Sequence, residues 1–99
     1  MTRDQERLLH KQAKEAHRAA SLLHHQAEGN ESKDKEALDA TIKACELTAQ
    51  TGNDTEVERY IQDCADKAFN HATTKSICYH LKAACCHTYA ANNHRQLER

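Results

Sequence analysis

The near absence of helix-breaking residues is the feature that most constrains this chain. Its 99 residues include no proline and only two glycines. Alanine, glutamate, lysine and glutamine, which all favour helices, are abundant. The sequence therefore predicts an all-α fold and excludes a β-sandwich or a parallel α/β sheet. The length predicts a single domain over residues 1–99, and no apolar run approaches the ~18 residues that a membrane span requires.

Turn and capping residues divide the chain into four predicted helices, which we expect to form an up-down bundle with short turns. Gly29 is the expected stop of the first helix, and Ser32 or Asp34 is the expected cap of the second. An alternative is a three-helix bundle whose long third helix runs through residues 70–76 without a turn. The predicted helices cover residues 3–28 and 34–50, a third helix capped by Asp54 or Thr55, and a fourth capped by Thr73 or Thr74 that runs to about residue 97.

The predicted inward faces consist mainly of small residues. Such residues let helices approach closely but bury little apolar area, so the hydrophobic stabilisation is expected to be weak. A second copy of the chain, a partner helix or a metal ion would then help the fold. The first helix places Leu9, Ala13, Ala16, Ala20, Leu23 and Ala27 on one face, and the fourth is expected to turn Ile77, Leu81, Ala84, Cys85 and Thr88 inward.

Histidines recur at seven-residue intervals in two of the predicted helices. On one helix this spacing separates neighbouring imidazoles by ~10 Å, which is too far for one metal ion. Two adjacent helices could pair their rows into a metal or haem ladder, but the usual i, i+4 ligand pairs are missing. We therefore expect these side chains in solvent or at the boundary, with the second row away from the inward face. The rows are His10, His17 and His24, and His80, His87 and His94.

The odd number of cysteines, five, favours reduced thiols in a cytoplasmic compartment over a disulfide framework. Sulfur and imidazole ligands suit Zn(II) or Cu(I), so a metal site inside the bundle is one hypothesis. Buried, inert cysteines that fill the core are the other. The candidate ligands are Cys64, His71, Cys78 and Cys85, which step by seven residues, and Cys45 on the second helix.

Part of the chain resembles the MIT (microtubule-interacting and trafficking) domains and the related tetratricopeptide hairpin. The similarity covers roughly residues 13–72 and rests on Glu36-Ala37-Leu38 after a glycine turn, with Ala44 and Cys45 further along the helix. The segment Glu58-Arg59-Tyr60-Ile61 resembles the third helix of that family. The resemblance implies a module that binds an amphipathic helix in a groove. That groove would be edged by Val57, Tyr60, Ile61, Cys64 and Ala68.

A second resemblance is to the small cysteine-rich four-helix proteins that store copper. It rests on two fragments, Asp63-Cys64-Ala65-Asp66 and Ile77-Cys78. The repeated C-x-x-x-C pairs of that family do not occur in this chain, so its copper-lined core is not implied.

Charge is distributed unevenly along the chain. Residues 67–97 contain no acidic residue, whereas residues 31–58 are predominantly acidic. This asymmetry favours an acidic partner or self-association, and no motif of a catalytic site is present. We therefore expect a non-enzymatic helical interaction module that binds a partner helix or forms a homo-oligomer. The alternative is a Cys/His-rich bundle that binds Zn(II) or Cu(I); membrane and nucleic-acid partners are not expected.

Overall fold

The computed structural model describes residues 2–98 and contains four α-helices, as the sequence predicts. The predicted boundaries agree with the observed ones to within about one residue, except at the start of the fourth helix. A short 3₁₀ turn, Glu31–Lys33, precedes the second helix. The helices are α1 (Arg3–Ala27), α2 (Asp34–Ala49), α3 (Glu56–Thr74) and α4 (Tyr79–Leu97).

Side chains cap the starts of α1 and α3. Thr2 and Thr55 each accept a hydrogen bond from the backbone N–H three residues on, at Gln5 and Glu58, whose side chains bond back to the cap. Of the two caps proposed for α3, the structure uses Thr55. The predicted caps of α2 are wrong, because α2 begins after Lys33 without any side-chain cap.

The link between α3 and α4 is a genuine turn, which excludes one long third helix. Lys75 and Cys78 both adopt the left-handed conformation, with φ of 56° and 59°. Two left-handed residues reverse the chain where neither glycine nor proline is present. The predicted caps Thr73 and Thr74 are wrong, because both lie in the last turn of α3 and α4 begins only at Tyr79.

The four helices form a ring in which each helix packs against the two beside it. The order around the ring is α1, α2, α3 and α4, with α4 closing against α1. The bundle measures 42 × 19 × 17 Å along its principal axes. Short turns and this nearest-neighbour packing are typical of an up-down bundle. No helix of the described chain is long and apolar enough to cross a bilayer.

The core is built from alanines, with Ile61 as its one fully buried large aliphatic residue among those described. The other large side chains that are fully buried are polar. The predicted inward face of α4 is wrong in part, because Leu81 and Ile77 are 43% and 86% exposed and Cys85 is also exposed. Ala84 alone of that predicted apolar set is buried. The large polar residues in the core are His17, His24, His87, His94, Thr41 and Thr48.

Candidate functional site: a buried histidine network

The two histidine rows line the centre of the bundle. All six side chains are at most 6% exposed, so the expectation that they lie in solvent or at the boundary is wrong. An alanine lies three residues after each of these histidines except His94, which is followed by Leu97. Such a seven-residue repeat keeps both positions on the inward seam of a helix. The rows are His10, His17 and His24 on α1 and His80, His87 and His94 on α4.

The rows meet as three pairs, each joined through the Nδ1 atoms. The Nδ1–Nδ1 distances are 2.9 Å for His10 and His94, and 2.7 Å for His17 and His87. The third pair joins His24 and His80 at 2.8 Å. These are hydrogen-bond distances, so one ring nitrogen of each pair donates and the other accepts. The antiparallel course of α1 and α4 brings residues so distant in sequence together.

Two threonines of α2 connect successive pairs. Thr41 Oγ1 lies 2.6 Å from His24 Nε2 and 2.9 Å from His87 Nε2. Thr48 Oγ1 lies 2.6 Å from His17 Nε2 and 3.0 Å from the Nε2 atom of His94. A hydroxyl donates one hydrogen bond and accepts others, so each threonine can bridge two imidazoles.

Asp34, the first residue of α2, ends the network on one side. Its Oδ1 atom lies 2.8 Å from His80 Nε2, and the Asp34 side chain is 31% exposed. Eight hydrogen bonds therefore join nine side chains into one unbranched chain along the bundle. In order, the chain runs through Asp34, His80, His24, Thr41, His87, His17, Thr48, His94 and His10.

Ring stacking also connects each histidine pair with the next pair along the bundle. His17 stacks on His94 with ring centroids 5.5 Å apart, and His24 stacks on His87 at 5.6 Å. These stacking partners belong to adjacent pairs. The imidazoles therefore form a continuous column, which the surrounding alanines enclose closely because they have almost no side chain of their own.

Burial disfavours a positive charge on these rings. Burial and the neighbouring His87 and His94 lower the pKa of His17 to about 2. Burial and His80 lower the pKa of His24 to about 4. Burial likewise lowers the pKa of His87 and His94 to about 3, with opposing histidines adding to the effect. The column is therefore neutral near pH 7 at these four positions, where each imidazole keeps one donor and one acceptor.

The network reaches solvent-lined crevices at its two ends. At one end His10 lines a crevice of about 310 Å³ together with Glu6 and Glu58. Burial lowers the pKa of His10, and these two carboxylates partly oppose that effect. At the other end Asp34 and His80 line a cavity of about 300 Å³.

The predicted metal ligands do not come together in one cluster. Cys78 and Cys85 are exposed, Cys45 and His71 are half-buried, and Cys64 is buried on α3. Within residues 2–98, no three His, Cys, Asp or Glu side chains are placed to hold one ion. The Nδ1 atoms of each histidine pair are 2.7–2.9 Å apart, which is closer than the roughly 3.3 Å between two nitrogens of a tetrahedral zinc site with bonds of about 2.0 Å.

The predicted groove residues lie mostly inside the bundle. Ile61 and Ala68 are fully buried, and Cys64 is 6% exposed. Val57 packs against the small apolar cluster of Ile61, Cys64 and Ala90, whereas Tyr60 is 45% exposed. In this closed form a partner helix has access to Tyr60 and to part of Val57. Access to the others requires the helices to separate.

Comparisons with protein-family models, with curated proteins and with solved structures find no match to this chain.

Proposed function

We propose that this protein is a pH-responsive helical interaction module without enzymatic activity. The observation that carries the proposal is the hydrogen-bonded column of buried histidines between α1 and α4. Such a column is compatible with a closed bundle only while its imidazoles are neutral. In mild acid, proton uptake favours separated helices, and the inward faces then become available to a partner helix.

The charge of the chain supports an acidic partner. Near pH 7 the formal net charge is −1, and protonation of all eight histidines changes it to +7. Residues 67–97, which contain no acidic side chain, include four of these histidines. The opened chain therefore combines positive charge with newly exposed apolar side chains such as Ile61. Helix-in-groove recognition of an acidic amphipathic segment uses both properties.

The metal-binding alternative has less support. The described residues offer no cluster of ligands, and of the five cysteines one is buried, two are half-buried and two are exposed. The similarities to MIT domains and to copper storage proteins remain predictions. We therefore retain the interaction role as the proposed function.

A fluorescent acidic amphipathic helical peptide tests the proposal. We expect the wild type to bind this peptide at the pH of its acid midpoint and to bind it much more weakly at pH 7.5. Binding should require the bundle to open, because Ile61 and Ala68 are otherwise fully buried. Fluorescence anisotropy at the two pH values measures the difference.

The double variant His17→Leu/His87→Leu is the matched control. Thr48 keeps His94 as a partner and Thr41 keeps His24, so neither hydroxyl is left unpaired. Replacing both members of a buried polar pair by apolar groups of similar size is nearly neutral or stabilising. The variant should remain closed at the wild-type acid midpoint and bind the peptide weakly. Equal binding by both proteins, or equal binding at both pH values, would contradict the proposal.

A further inference from the structure

The closed network has a defined direction. An ionised carboxylate only accepts hydrogen bonds, so Asp34 requires a proton on His80 Nε2. When His80 is neutral, its Nδ1 atom must then accept, and His24 must donate from Nδ1. The Nε2 atom of His24 accepts in turn, so Thr41 donates to it and accepts from His87 Nε2.

The remaining hydrogen bonds, from His87 to His10, keep the same donor–acceptor direction. His87 Nδ1 accepts from His17 Nδ1, and Thr48 donates to His17 Nε2. Thr48 accepts from His94 Nε2, and the Nδ1 atom of His94 accepts from His10. His10, His17 and His24 then carry their protons on Nδ1, and the three histidines of α4 carry theirs on Nε2. All eight hydrogen bonds are satisfied with neutral rings and no conflict.

One acceptor remains at the end of this sequence. His10 uses Nδ1 for His94, which leaves its Nε2 atom as the terminal acceptor. Glu6, Arg7 and Glu58 line the crevice beside His10. The opposite end has a carboxylate, Asp34, in a cavity that Glu31, Lys35 and Tyr79 also line. The network therefore has a proton acceptor at each end and a continuous path between them.

We propose that the network is a proton relay that connects His10 at one end of the bundle with Asp34 at the other. A proton from a solvent donor binds His10 Nε2, and His10 passes its Nδ1 proton to His94. One proton then moves across each remaining hydrogen bond in the same direction. The last transfer carries the Nε2 proton of His80 to Asp34 Oδ1. One proton enters and one arrives, and each intermediate group ends neutral with its donor and acceptor exchanged.

The relay links two positions that are far apart. His10 and His24 alone are separated by ~21 Å along α1, at 1.5 Å per residue. The protonation state at Asp34 therefore determines the tautomer of His10 across the bundle. This coupling operates in the closed form near neutral pH, so it does not rest on the acid opening proposed above.

Cutting the network at different threonines tests the relay. Thr41→Val removes the hydroxyl that accepts a hydrogen bond from His87 Nε2. The hydrogen bonds that run from His87 to His10 should then reverse their donor–acceptor direction, because this avoids a buried unpaired N–H. We expect exchanged tautomers at His87, His17, His94 and His10, with those of His24 and His80 unchanged. Thr48→Val should reverse His94 and His10 only. Ring ¹⁵N chemical shifts at pH 7.5 distinguish the two tautomers directly.

Serine variants provide the matched controls. Thr41→Ser and Thr48→Ser keep the hydroxyl and should show the wild-type tautomers. Thr88→Val removes a hydroxyl that bonds Ser21 and the Ala84 carbonyl outside the relay, and it should also leave the tautomers unchanged. Mixed tautomers in the wild type, or unchanged distant tautomers in both valine variants, would overturn the proposal.

Solvent exchange separates a relay from a static network. In the wild type, we expect the ring N–H of His17 to exchange faster than the slowest backbone amides, because protons reach it without opening of the bundle. The double variant Thr41→Val/Thr48→Val isolates the His17–His87 pair, and exchange should slow to the rate of those amides. Exchange at the amide rate already in the wild type would overturn the proposal. The two single variants provide the tautomer test even if the double variant does not fold.

Discussion

Lowering the pH from 7.5 to 5.0 is expected to reduce the free energy of unfolding by about 8 kcal/mol. The four histidines with the most depressed pKa values carry this effect. Each is neutral in the folded state at pH 5 but charged in the unfolded state, at about 2 kcal/mol per residue. Since single domains are stable by only about 5–15 kcal/mol, we expect unfolding in mild acid. The residues are His17, His24, His87 and His94.

The direction of this dependence follows from proton linkage. Burial lowers the folded-state pKa values to between about 2 and about 4, whereas the ordinary histidine value is 6.5. Below pH 6.5 the unfolded chain therefore binds more protons than the folded bundle. The contribution of these four histidines to the free energy of unfolding is therefore fully present above pH 6.5. It decreases as the pH falls, and it becomes constant again only below their folded-state pKa values.

Urea unfolding at a series of pH values, followed by circular dichroism, measures the effect. The double variant His17→Leu/His87→Leu should lose only about half as much stability as the wild type, because two of the four groups are gone. A wild-type free energy of unfolding that changes by less than about 2 kcal/mol between pH 7.5 and 5.0 would be incompatible with a neutral histidine column.

The substitution His17→Ala is expected to destabilise the bundle by about 3–5 kcal/mol at pH 7.5. The imidazole is fully buried, so its removal leaves a cavity between alanine layers. It also removes the Nδ1 partner of His87 and one of the two partners of Thr48. Both losses act in the same direction, and urea unfolding measures their sum.

His25→Ala is the matched control on the same helix. His25 is exposed, and surface substitutions usually change stability by less than about 0.5 kcal/mol. We expect the two variants to differ by at least about 2.5 kcal/mol at pH 7.5. A loss at His17→Ala no larger than that at His25→Ala would show that the imidazole is not an essential part of the core.

Local signals in the sequence predict the helices well. Gly29 adopts a positive φ of 75° just after α1, where it was expected to stop the helix. Thr55 forms the predicted cap of α3, because threonine hydroxyls accept hydrogen bonds from the first turn of a helix. The turn before α4 was harder to place, since Lys75 and Cys78 adopt left-handed conformations that residue type does not indicate.

Hydrophobicity alone does not identify the candidate site, because it assigns the large apolar side chains to the inward faces. Leu81 and Ile77 were expected inside α4 and are exposed, whereas His87 is buried. A buried polar group is costly alone but not when every donor and acceptor is paired. That pairing joins residues as distant as His10 and His94, which the pattern of a single helix cannot show.

One signal in the sequence does indicate the site. Five of the six histidines at seven-residue spacing in α1 and α4 are followed by an alanine three residues later, as at His17 and Ala20. Thr41 and Thr48 have the same spacing on α2, where Ala44 follows Thr41. Large polar and small apolar residues therefore follow the same seven-residue repeat in three helices. Residues with this repeat occupy the a and d positions, which form the inner layers of a bundle.

The most direct test of a neutral, buried histidine column is an NMR titration of the histidine rings in the folded protein. Between pH 7.5 and the acid transition, we expect the ring signals of His17, His24, His87 and His94 to remain at their neutral positions. The signals of the unfolded chain should then replace them without a gradual shift, because these rings hold a positive charge at equilibrium only when the bundle opens. A progressive shift of the four folded-state signals near pH 6.5 would show that the rings titrate inside the closed bundle and would contradict a neutral histidine column.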